Sequence, residues 1–199
     1  MYTSLEVFRQ AYYNNVFDGE KKNCTIENWF GDTYKVNIME DILSTGKDNN
    51  GYSKQDYITI KKLNGEYKLN INNYIGYTQI NKTTTKEDIS IEVVGKNTYK
   101  EYEEYTIKVT NKKEDTILLD NRSNSKTLYL EDGKGVQYSY YNHELTEPML
   151  TVSSGQTKEI TIKFYSSYVS TKKINNIVFS NIIIKNESLS QTMEIIVDV

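Results

Sequence analysis

Two stretches of this chain decide its fold: Thr157-Lys-Glu-Ile-Thr-Ile-Lys-Phe164 and Thr192-Met-Glu-Ile-Ile-Val-Asp-Val199. In both, apolar and polar residues alternate with a period of two. This alternation is typical of a half-buried β-strand, because successive side chains of a strand point to opposite faces of the sheet. The pattern recurs from about Ile89 onward, with turn residues between the segments. Many short strands separated by turns predict an antiparallel β-sandwich.

Nine segments of this region have the pattern of strands. We expect them at Ile89–Val94, Tyr102–Thr110, Thr116–Leu119, Thr127–Leu130, Val136–Tyr141, Met149–Val152, Glu159–Phe164, Asn176–Ile184 and Met193–Val199. A three-residue loop ending at Gly135 connects two of them, with Gly135 in the left-handed position of a bulge. This loop predicts that Leu130 lies opposite Tyr138 and that Leu128 lies opposite Tyr140.

The first eighty residues have a mixed pattern that includes helix signals. Thr3 and Glu6 have the spacing of a capping box, in which two side chains satisfy free backbone donors at a helix start. Apolar residues follow at helical spacing, at Leu5, Phe8, Tyr12 and Val16. A second short helix is expected from Asn37 to Gly46, with Glu40 three residues after its start.

A β-hairpin is predicted around Asn64–Gly65. This pair is preferred in a two-residue type I′ turn, because both positions require a positive φ. A turn here sets Ile60 opposite Leu69 and Ile58 opposite Ile71, so the four apolar side chains share one face. Turn chemistry and apolar pattern therefore agree on the register.

The polar segment 80–88 lacks any periodicity, and we interpret it as the boundary between two domains. A chain of 199 residues is long enough for two domains with cores of their own. The predicted fold class is α+β. We expect a small helix-plus-hairpin domain over residues 1–82, followed by an antiparallel β-sandwich over residues 83–199.

Composition and charge argue against several classes of protein. The net charge of -3, from 24 Lys and Arg against 27 Asp and Glu, disfavours nucleic acid as a partner, since its binding relies on clustered basic residues. No apolar run approaches the roughly 20 residues that cross a bilayer, so we expect no membrane insertion by this chain. The single cysteine, Cys24, permits no intrachain disulfide. Met1 begins no signal peptide, and we expect any anchor to lie upstream of it.

Three motifs of the second region are similar to those of a known family. They are Tyr105-Thr-Ile-Lys-Val-Thr-Asn111, Leu128-Tyr-Leu-Glu-Asp-Gly133 followed by Val136-Gln-Tyr138, and Leu150-Thr-Val-Ser-Ser-Gly-Gln156 before Lys158–Phe164. On these motifs, residues 85–199 resemble the immunoglobulin-like extracytoplasmic domain of Gram-positive lipoproteins and membrane-anchored proteins, with Ser154-Gly155 in place of the usual Pro-Gly. The resemblance implies an immunoglobulin-like sandwich outside the cytoplasm, without catalytic residues. The first region is similar to part of an NTF2-like cone.

The residue types of catalysis occur without an assembled motif. His143 is the only histidine and adjoins Glu144, but neighbouring residues on a strand point to opposite faces, and no G-x-S-x-G elbow supplies a nucleophile. Cys24 has no histidine within its own region and is interpreted as a structural residue. We interpret the cluster of three glutamates at Glu101, Glu103 and Glu104 as the solvated start of a strand rather than a metal site. The sequence predicts no catalytic residue, no metal and no cofactor.

Aromatic residues are the candidates for a binding surface. Tyr138 and Tyr140 fall on one face of a predicted strand, whereas Tyr141 falls on the other. His143 follows them, Tyr165 and Tyr168 follow a later strand, and Trp29 belongs to the largest aromatic pair of the first region. Flat tyrosine faces with polar tips suit sugars and protein surfaces. With 18 tyrosines against 5 phenylalanines, the alternative is that tyrosine replaces phenylalanine in the core.

These observations predict a non-enzymatic, extracytoplasmic module of a bacterial surface protein that recognises a partner protein or a cell-wall glycan. One alternative is a carbohydrate-binding module with a row of exposed, coplanar tyrosine rings on a sheet face. Another is an enzyme with a pocket in the first region, in which a buried carboxylate has a perturbed pKa.

Overall fold

The computed structural model describes residues 24–38, 58–70, 73–122, 127–185 and 191–199. Within these ranges the chain forms fourteen β-strands and one short helix, and its three sheets are antiparallel. The chain divides into two compact units: unit 1 comprises residues 1–73 and unit 2 comprises residues 74–199.

The described residues of unit 1 form one antiparallel sheet of four strands. These are β1 Cys24–Phe30, β2 Thr33–Ile38, β3 Ile58–Leu63 and β4 Glu66–Leu69, in the order β1-β2-β3-β4. The predicted β3–β4 hairpin is confirmed, because Asn64 and Gly65 have φ of 53° and 85° and Ile60 lies opposite Leu69. The predicted pairing of Ile58 with Ile71 falls partly outside the described residues, which do not include Ile71.

The predicted α+β class, with a helix-plus-hairpin domain over residues 1–82, is wrong. The described chain is almost entirely β, and its first region contains four strands where one hairpin was expected. Asn37, the predicted start of a helix, lies within β2 and pairs with Thr25 of β1. The spacing of Asn37 and Glu40 is a local signal for a helix start, but pairing with a neighbouring strand overrides such local preferences. The helix predicted from Leu5 to Val16 and the rest of the second one, residues 39–46, lie outside the described residues.

The first sheet of unit 2 has four strands. These are β5 Tyr74–Lys86, β6 Ile89–Tyr99, β7 Glu103–Asn111 and β12 Thr157–Phe164, in the order β12-β7-β6-β5. A two-residue turn joins β5 to β6 at Glu87 and Asp88, whose φ values of 46° and 68° fit a type I′ turn. The polar segment 80–88, interpreted from the sequence as a domain boundary, forms the end of β5 and this turn within unit 2.

The second sheet of unit 2 is built around a long central strand. Its members are β8 Thr116–Leu118, β9 Leu128–Asp132, β10 Gln137–Ser139, β11 Thr151–Val152, β13 Ile174–Lys185 and β14 Gln191–Asp198. The strand order is β10-β9-β13-β8-β11, and β14 also pairs with β13. The strand predicted at Met149–Val152 is shorter than expected, because Met149 lies in helix α1, Glu147–Leu150, where Pro148 suits the first helical turn.

The β9–β10 hairpin follows the sequence prediction only in part. Leu130 lies opposite Tyr138, and Gly135 has a φ of 76°, as predicted. The predicted pairing of Leu128 with Tyr140 is wrong, because β10 ends one residue before Tyr140.

The chain after β10 joins the two sheets of unit 2. Tyr140 forms a β-bridge with Phe164 of β12. Backbone hydrogen bonds of 2.8 Å lie on either side of it, from Tyr141 N to Lys163 O and from Tyr165 N to the carbonyl oxygen of residue 139. We call this pairing of residues 139–141 with residues 163–165 the junction.

A shared apolar core lies between the two sheets of unit 2. Alternate residues of β7 and of β14 are buried, as the period of two predicts. The largest fully buried side chains are those of Tyr105, Phe164 and Phe179, and the rings of Tyr105 and Phe164 meet edge to face at 5.7 Å. Unit 2 is therefore a β-rich, sandwich-like structure, as the alternating segments predict.

Candidate functional site

Four tyrosines and a histidine gather near the junction. They are Tyr99, Tyr102, Tyr141, Tyr165 and His143, and we call them the tyrosine cluster. Tyr99 ends β6, Tyr102 precedes β7, Tyr141 follows the β-bridge and Tyr165 follows β12. Segments that are far apart in sequence thus contribute to one surface, because strand pairing brings their ends together.

The rings of the tyrosine cluster stack on one another. The ring centroids of Tyr99 and Tyr102 are 4.4 Å apart at an interplanar angle of 22°, and those of Tyr141 and Tyr165 are 3.4 Å apart at 20°. The two stacks meet edge to face, with Tyr102 and Tyr141 6.2 Å apart at 70°. His143 lies 5.8 Å from Tyr141. Stacked and edge-to-face aromatic rings attract each other, so these contacts hold the cluster in a defined geometry.

The ammonium group of Lys163 lies among these rings. Its Nζ is 4.1 Å from the ring centroid of Tyr102, 4.6 Å from that of Tyr141 and 3.2 Å from Glu144 Oε1. A cation over aromatic faces is attracted by their negative quadrupoles. Burial alone would lower the pKa of Lys163, but the hydrogen bond and the charge of Glu144 outweigh burial and raise it. The lysine is therefore charged at neutral pH and connects the two stacks.

Solvent reaches the tyrosine cluster. Tyr165 is 49% exposed, the side chain of His143 is 65% exposed, and the other three rings are half-buried. Burial raises the pKa of Tyr99 to about 12 and also raises the pKa values of Tyr102 and Tyr141. These hydroxyl groups stay protonated at neutral pH. The Tyr99 hydroxyl is hydrogen-bonded to Glu104, whereas those of Tyr102 and Tyr141 can donate hydrogen bonds to a partner.

The five residues predicted as a binding surface have separate locations. Tyr141 and His143 belong to the tyrosine cluster, whereas Tyr138 and Tyr140 pack against the apolar core. Trp29 lies in β1 of unit 1, and its side chain is outside the described residues. Alternation along the strand correctly separated Tyr140 from Tyr141.

Three residues of the site were not predicted: Tyr99, Tyr102 and Lys163. Tyr102 and Lys163 lie near the ends of predicted strands, Tyr99 lies between two predicted strands, and no local motif marks any of them. The position of Lys163 in the sequence could have revealed it. Lys163 directly precedes the last residue of a strongly alternating strand, and Tyr165 directly follows that strand.

Tyr140 has an interior role. Its hydroxyl donates to Asp120 Oδ2 at 2.5 Å, and the same carboxylate accepts the backbone N–H of Arg122 at 2.9 Å and the hydroxyl of Thr127. Asp120 is 1% exposed, so these donors replace the water that its charge has lost. Burial, together with the hydrogen-bonded carboxylate, raises the pKa of Tyr140 well above its ordinary value. In this position a half-buried tyrosine packs against the apolar core and also satisfies a buried carboxylate.

Tyr138 is bound to the turn of the β9–β10 hairpin. Its hydroxyl donates to Asp132 Oδ2 at 3.0 Å, while Asp132 Oδ1 accepts the backbone N–H groups of Lys134 and Val136, each at 2.9 Å. An aspartate that accepts from the backbone ahead of it stabilises a turn. The hydrogen bond from Val136 is the main cause that lowers the pKa of Asp132.

A buried polar network involves Glu103, which the sequence analysis placed in solvent. Glu103 is 4% exposed, with Oε1 2.7 Å from Lys96 Nζ and with Oε2 accepting hydrogen bonds from Ser166 Oγ at 3.0 Å and Tyr105 OH at 3.3 Å. Lys172 Nζ donates to Ser166 Oγ at 2.7 Å, and burial lowers the pKa of Lys172. The prediction that Glu103 is exposed to solvent is wrong. Its side chain is buried, and Lys96 and two hydroxyl groups compensate its charge. Ser166 is 0% exposed, so this serine–lysine pair stabilises the fold and offers no accessible nucleophile.

His143 and Glu144 lie in a turn, not on a strand. His143 Nε2 is 3.8 Å from Glu144 Oε1, and both side chains are exposed. In the described part of the chain, His143 makes no hydrogen bond to a hydroxyl group. The same ranges contain no group of three or more His, Cys, Asp or Glu residues that could hold a metal ion.

The described fold and site define a two-unit β protein with an exposed aromatic surface. No protein-family model matches the chain, and no curated protein or solved structure is significantly similar to it. The resemblances to an immunoglobulin-like extracytoplasmic domain and to an NTF2-like cone therefore stay predictions. Among the residues with described positions, no helix is long and apolar enough to span a bilayer.

Proposed function

We propose that this protein is a non-enzymatic binding module that acts outside the cytoplasm, at a bacterial surface, and recognises a partner protein or a cell-wall polymer. The tyrosine cluster is the observation that carries this proposal. It presents stacked rings, protonated hydroxyls and a fixed cation within one solvent-accessible surface. Tyrosine supplies large contact area at a low loss of side-chain entropy, which is why binding surfaces are enriched in it.

The geometry of the tyrosine cluster is set before a partner binds. Tyr141 stacks on Tyr165, contacts Lys163 and follows directly on the backbone pairing of the junction. Immobilising a free side chain on binding costs about 0.5–1.5 kcal/mol, and preorganised rings avoid much of that loss. Rigid aromatic side chains of this kind often supply most of the binding free energy at protein interfaces.

The stacking favours a protein partner over a flat sugar platform. In the Tyr99–Tyr102 and Tyr141–Tyr165 pairs the rings face each other, at interplanar angles of 22° and 20°, and do not lie side by side in one plane. Their inner faces are therefore occupied, whereas a pyranose ring needs a free aromatic face. Exposed ring edges with His143 and Glu144 beside them suit the mixed polar and apolar surface of a protein. The alternative of an enzyme with a pocket in the first region stays a prediction.

Binding of the fluorescently labelled protein to cell walls of a Gram-positive bacterium tests the proposal. Walls are used before and after protease treatment, which separates a protein partner from a wall polymer. We expect the double variant Tyr141→Ala/Tyr165→Ala to bind about tenfold more weakly or worse, because two contact rings are lost. The control Tyr67→Ala, which removes a tyrosine that is 58% exposed in unit 1, should bind as the parent does.

Equal binding by the parent and the double variant would contradict this role for the tyrosine cluster. Failure of the parent protein to bind any wall preparation would contradict the function itself. Circular dichroism and thermal unfolding of both variants show whether the fold is retained.

A further inference from the structure

A groove in unit 2 uses none of the residues of the tyrosine cluster. The turn of the β9–β10 hairpin forms one wall, and the loop that precedes β13 forms the other. The groove has a volume of about 460 Å³, and its lining includes Lys134, Val136, Tyr138, Val169, Lys172 and Lys173. A backbone hydrogen bond of 3.2 Å from Gly133 N to Lys173 O ties the two walls together. The volume lies within the range of ordinary ligand sites, roughly 300–1,000 Å³.

Positive charge dominates the lining of the groove. Lys134, Lys172 and Lys173 line it together with a single carboxylate, Asp132. That carboxylate is already engaged by the Tyr138 hydroxyl and two backbone N–H groups of its own turn. Lys134 and Lys173 are exposed, and neither forms a salt bridge with the described part of the chain. In a protein of net charge -3, this is a local surplus of positive charge that attracts an acidic partner.

Lys172 differs from the other two lysines because its position is fixed. Its Nζ donates to Ser166 Oγ at 2.7 Å and lies 5.0 Å from the ring centroid of Tyr138. These contacts place one cation beside the groove independently of any ligand. The two exposed lysines remain available to pair with acidic groups.

Each wall of the groove also exposes a valine. Val136 is 48% exposed and Val169 is 53% exposed. Bare anions such as phosphate would pair with the lysines but leave both valines in water. A sugar would need a free aromatic face, and Lys172 lies over the Tyr138 ring. Apolar contacts next to exposed cations instead fit a polypeptide that carries acidic and apolar side chains. β10 is an edge strand of its sheet up to residue 139, where the junction begins, so a short extended segment can lie along its first residues.

We infer that this groove is a docking site for an extended, acidic segment of a partner protein that carries both acidic and apolar side chains on each of its faces. The inference goes beyond the proposed function, since it concerns a different surface and names the chemistry of the partner. An extended chain points successive side chains in opposite directions, so it contacts both walls of the groove. Each wall carries an exposed lysine and an exposed valine, so acidic side chains can pair with Lys134 and Lys173 while apolar side chains cover Val136 and Val169.

Fluorescence anisotropy with a short, labelled peptide of repeated Glu-Glu-Val-Val units, which presents glutamate and valine on both faces of an extended chain, tests this inference on the full chain. We expect the double variant Lys134→Gln/Lys173→Gln to bind this peptide about fivefold more weakly or worse, since two ion pairs are lost. The matched control Lys82→Gln/Lys112→Gln removes the same charge at two exposed positions outside the groove lining and should bind as the parent does. Added salt should weaken binding, and the same peptide with lysine in place of glutamate should not bind.

Three results would overturn the inference: no binding of the glutamate–valine peptide, equal affinity for the parent and the groove variant, or amide shift changes in the NMR spectrum that fall outside the groove lining. Inorganic phosphate that binds as tightly as the peptide and displaces it would also overturn it, because the groove would then be an anion site only. The Tyr141→Ala/Tyr165→Ala variant should keep its affinity for the peptide. Failure of wall binding and failure of peptide binding are therefore distinguishable.

Discussion

Tyr140 and Tyr141 are neighbours in sequence but have opposite environments. Tyr140 faces inward and donates a hydrogen bond to the buried carboxylate of Asp120, whereas Tyr141 stacks on Tyr165 at the surface and contacts Lys163. The same side chain thus compensates an interior charge in one case and forms part of an exterior surface in the other. The difference arises because successive residues of an extended chain point to opposite sides.

The other half of the junction repeats this contrast. Phe164 is 0% exposed, and the next residue, Tyr165, is 49% exposed. The junction therefore has an inner layer, Tyr140 and Phe164, and an outer layer, Tyr141 and Tyr165. We expect the inner layer to determine stability and the outer layer to determine binding, and the following experiments examine that division.

The largest expected effect is that of Phe164→Ala. Removing a fully buried aromatic ring leaves a cavity next to Tyr105 and should lower the free energy of unfolding by about 3–5 kcal/mol. The control Tyr165→Ala removes the adjacent outer ring and should cost about 1 kcal/mol or less. Urea unfolding measures both changes, and equal losses would contradict the division into layers.

A smaller effect is expected from removing one hydroxyl group. Tyr140→Phe takes a donor from the Asp120 carboxylate, which is 1% exposed, and should lower the free energy of unfolding by about 1–3 kcal/mol. Tyr141→Phe makes the same chemical change one residue away and should alter stability by about 0.5 kcal/mol at most. If Tyr141→Phe proves the more costly of the two, Tyr140 does not have the interior role assigned to it.

The smallest effect concerns protonation within the tyrosine cluster, to which the two rings of the outer layer also belong. The pKa of Tyr99 is raised from 10.0 to about 12 in the folded protein, so its contribution to stability is complete below pH 10 and is lost as the pH rises toward 12. Tyrosinate absorbance during an alkaline titration should show a step near the upper value that is missing in Tyr99→Phe. Identical titration curves for the parent and that variant would show that Tyr99 does not ionise in this pH range.

Strands with a strong local signal were predictable from the sequence. The Asn64–Gly65 turn gave the correct register of the β3–β4 hairpin, and alternation gave β12 and β14. The whole of β5 was missed, and in its second half most side chains are exposed and polar, so no apolar face marks that half as a strand. Its strand conformation depends on backbone pairing with β6, which a local pattern does not contain.

The candidate site was predictable only where neighbours in sequence share it. Tyr141 and His143 lie close together in the chain and were both selected. Tyr102 and Lys163 come together only because β12 pairs with β7, and that pairing is a property of the whole sheet. The difference between Tyr138 and Tyr141 likewise depends on hydrogen-bond partners that no local motif reveals.

The pairing of β13 with β14 bears on how this protein is made on the ribosome. The buried side chains of Met193, Ile195 and Val197 complete the core of unit 2, so a nascent chain that has emerged only as far as residue 190 leaves one side of β13 open. The four strands of unit 1 emerge much earlier and can pair while translation continues. Until β14 is available, apolar side chains of the unfinished sandwich are therefore left without their partners, whereas the strands of unit 1 already have theirs.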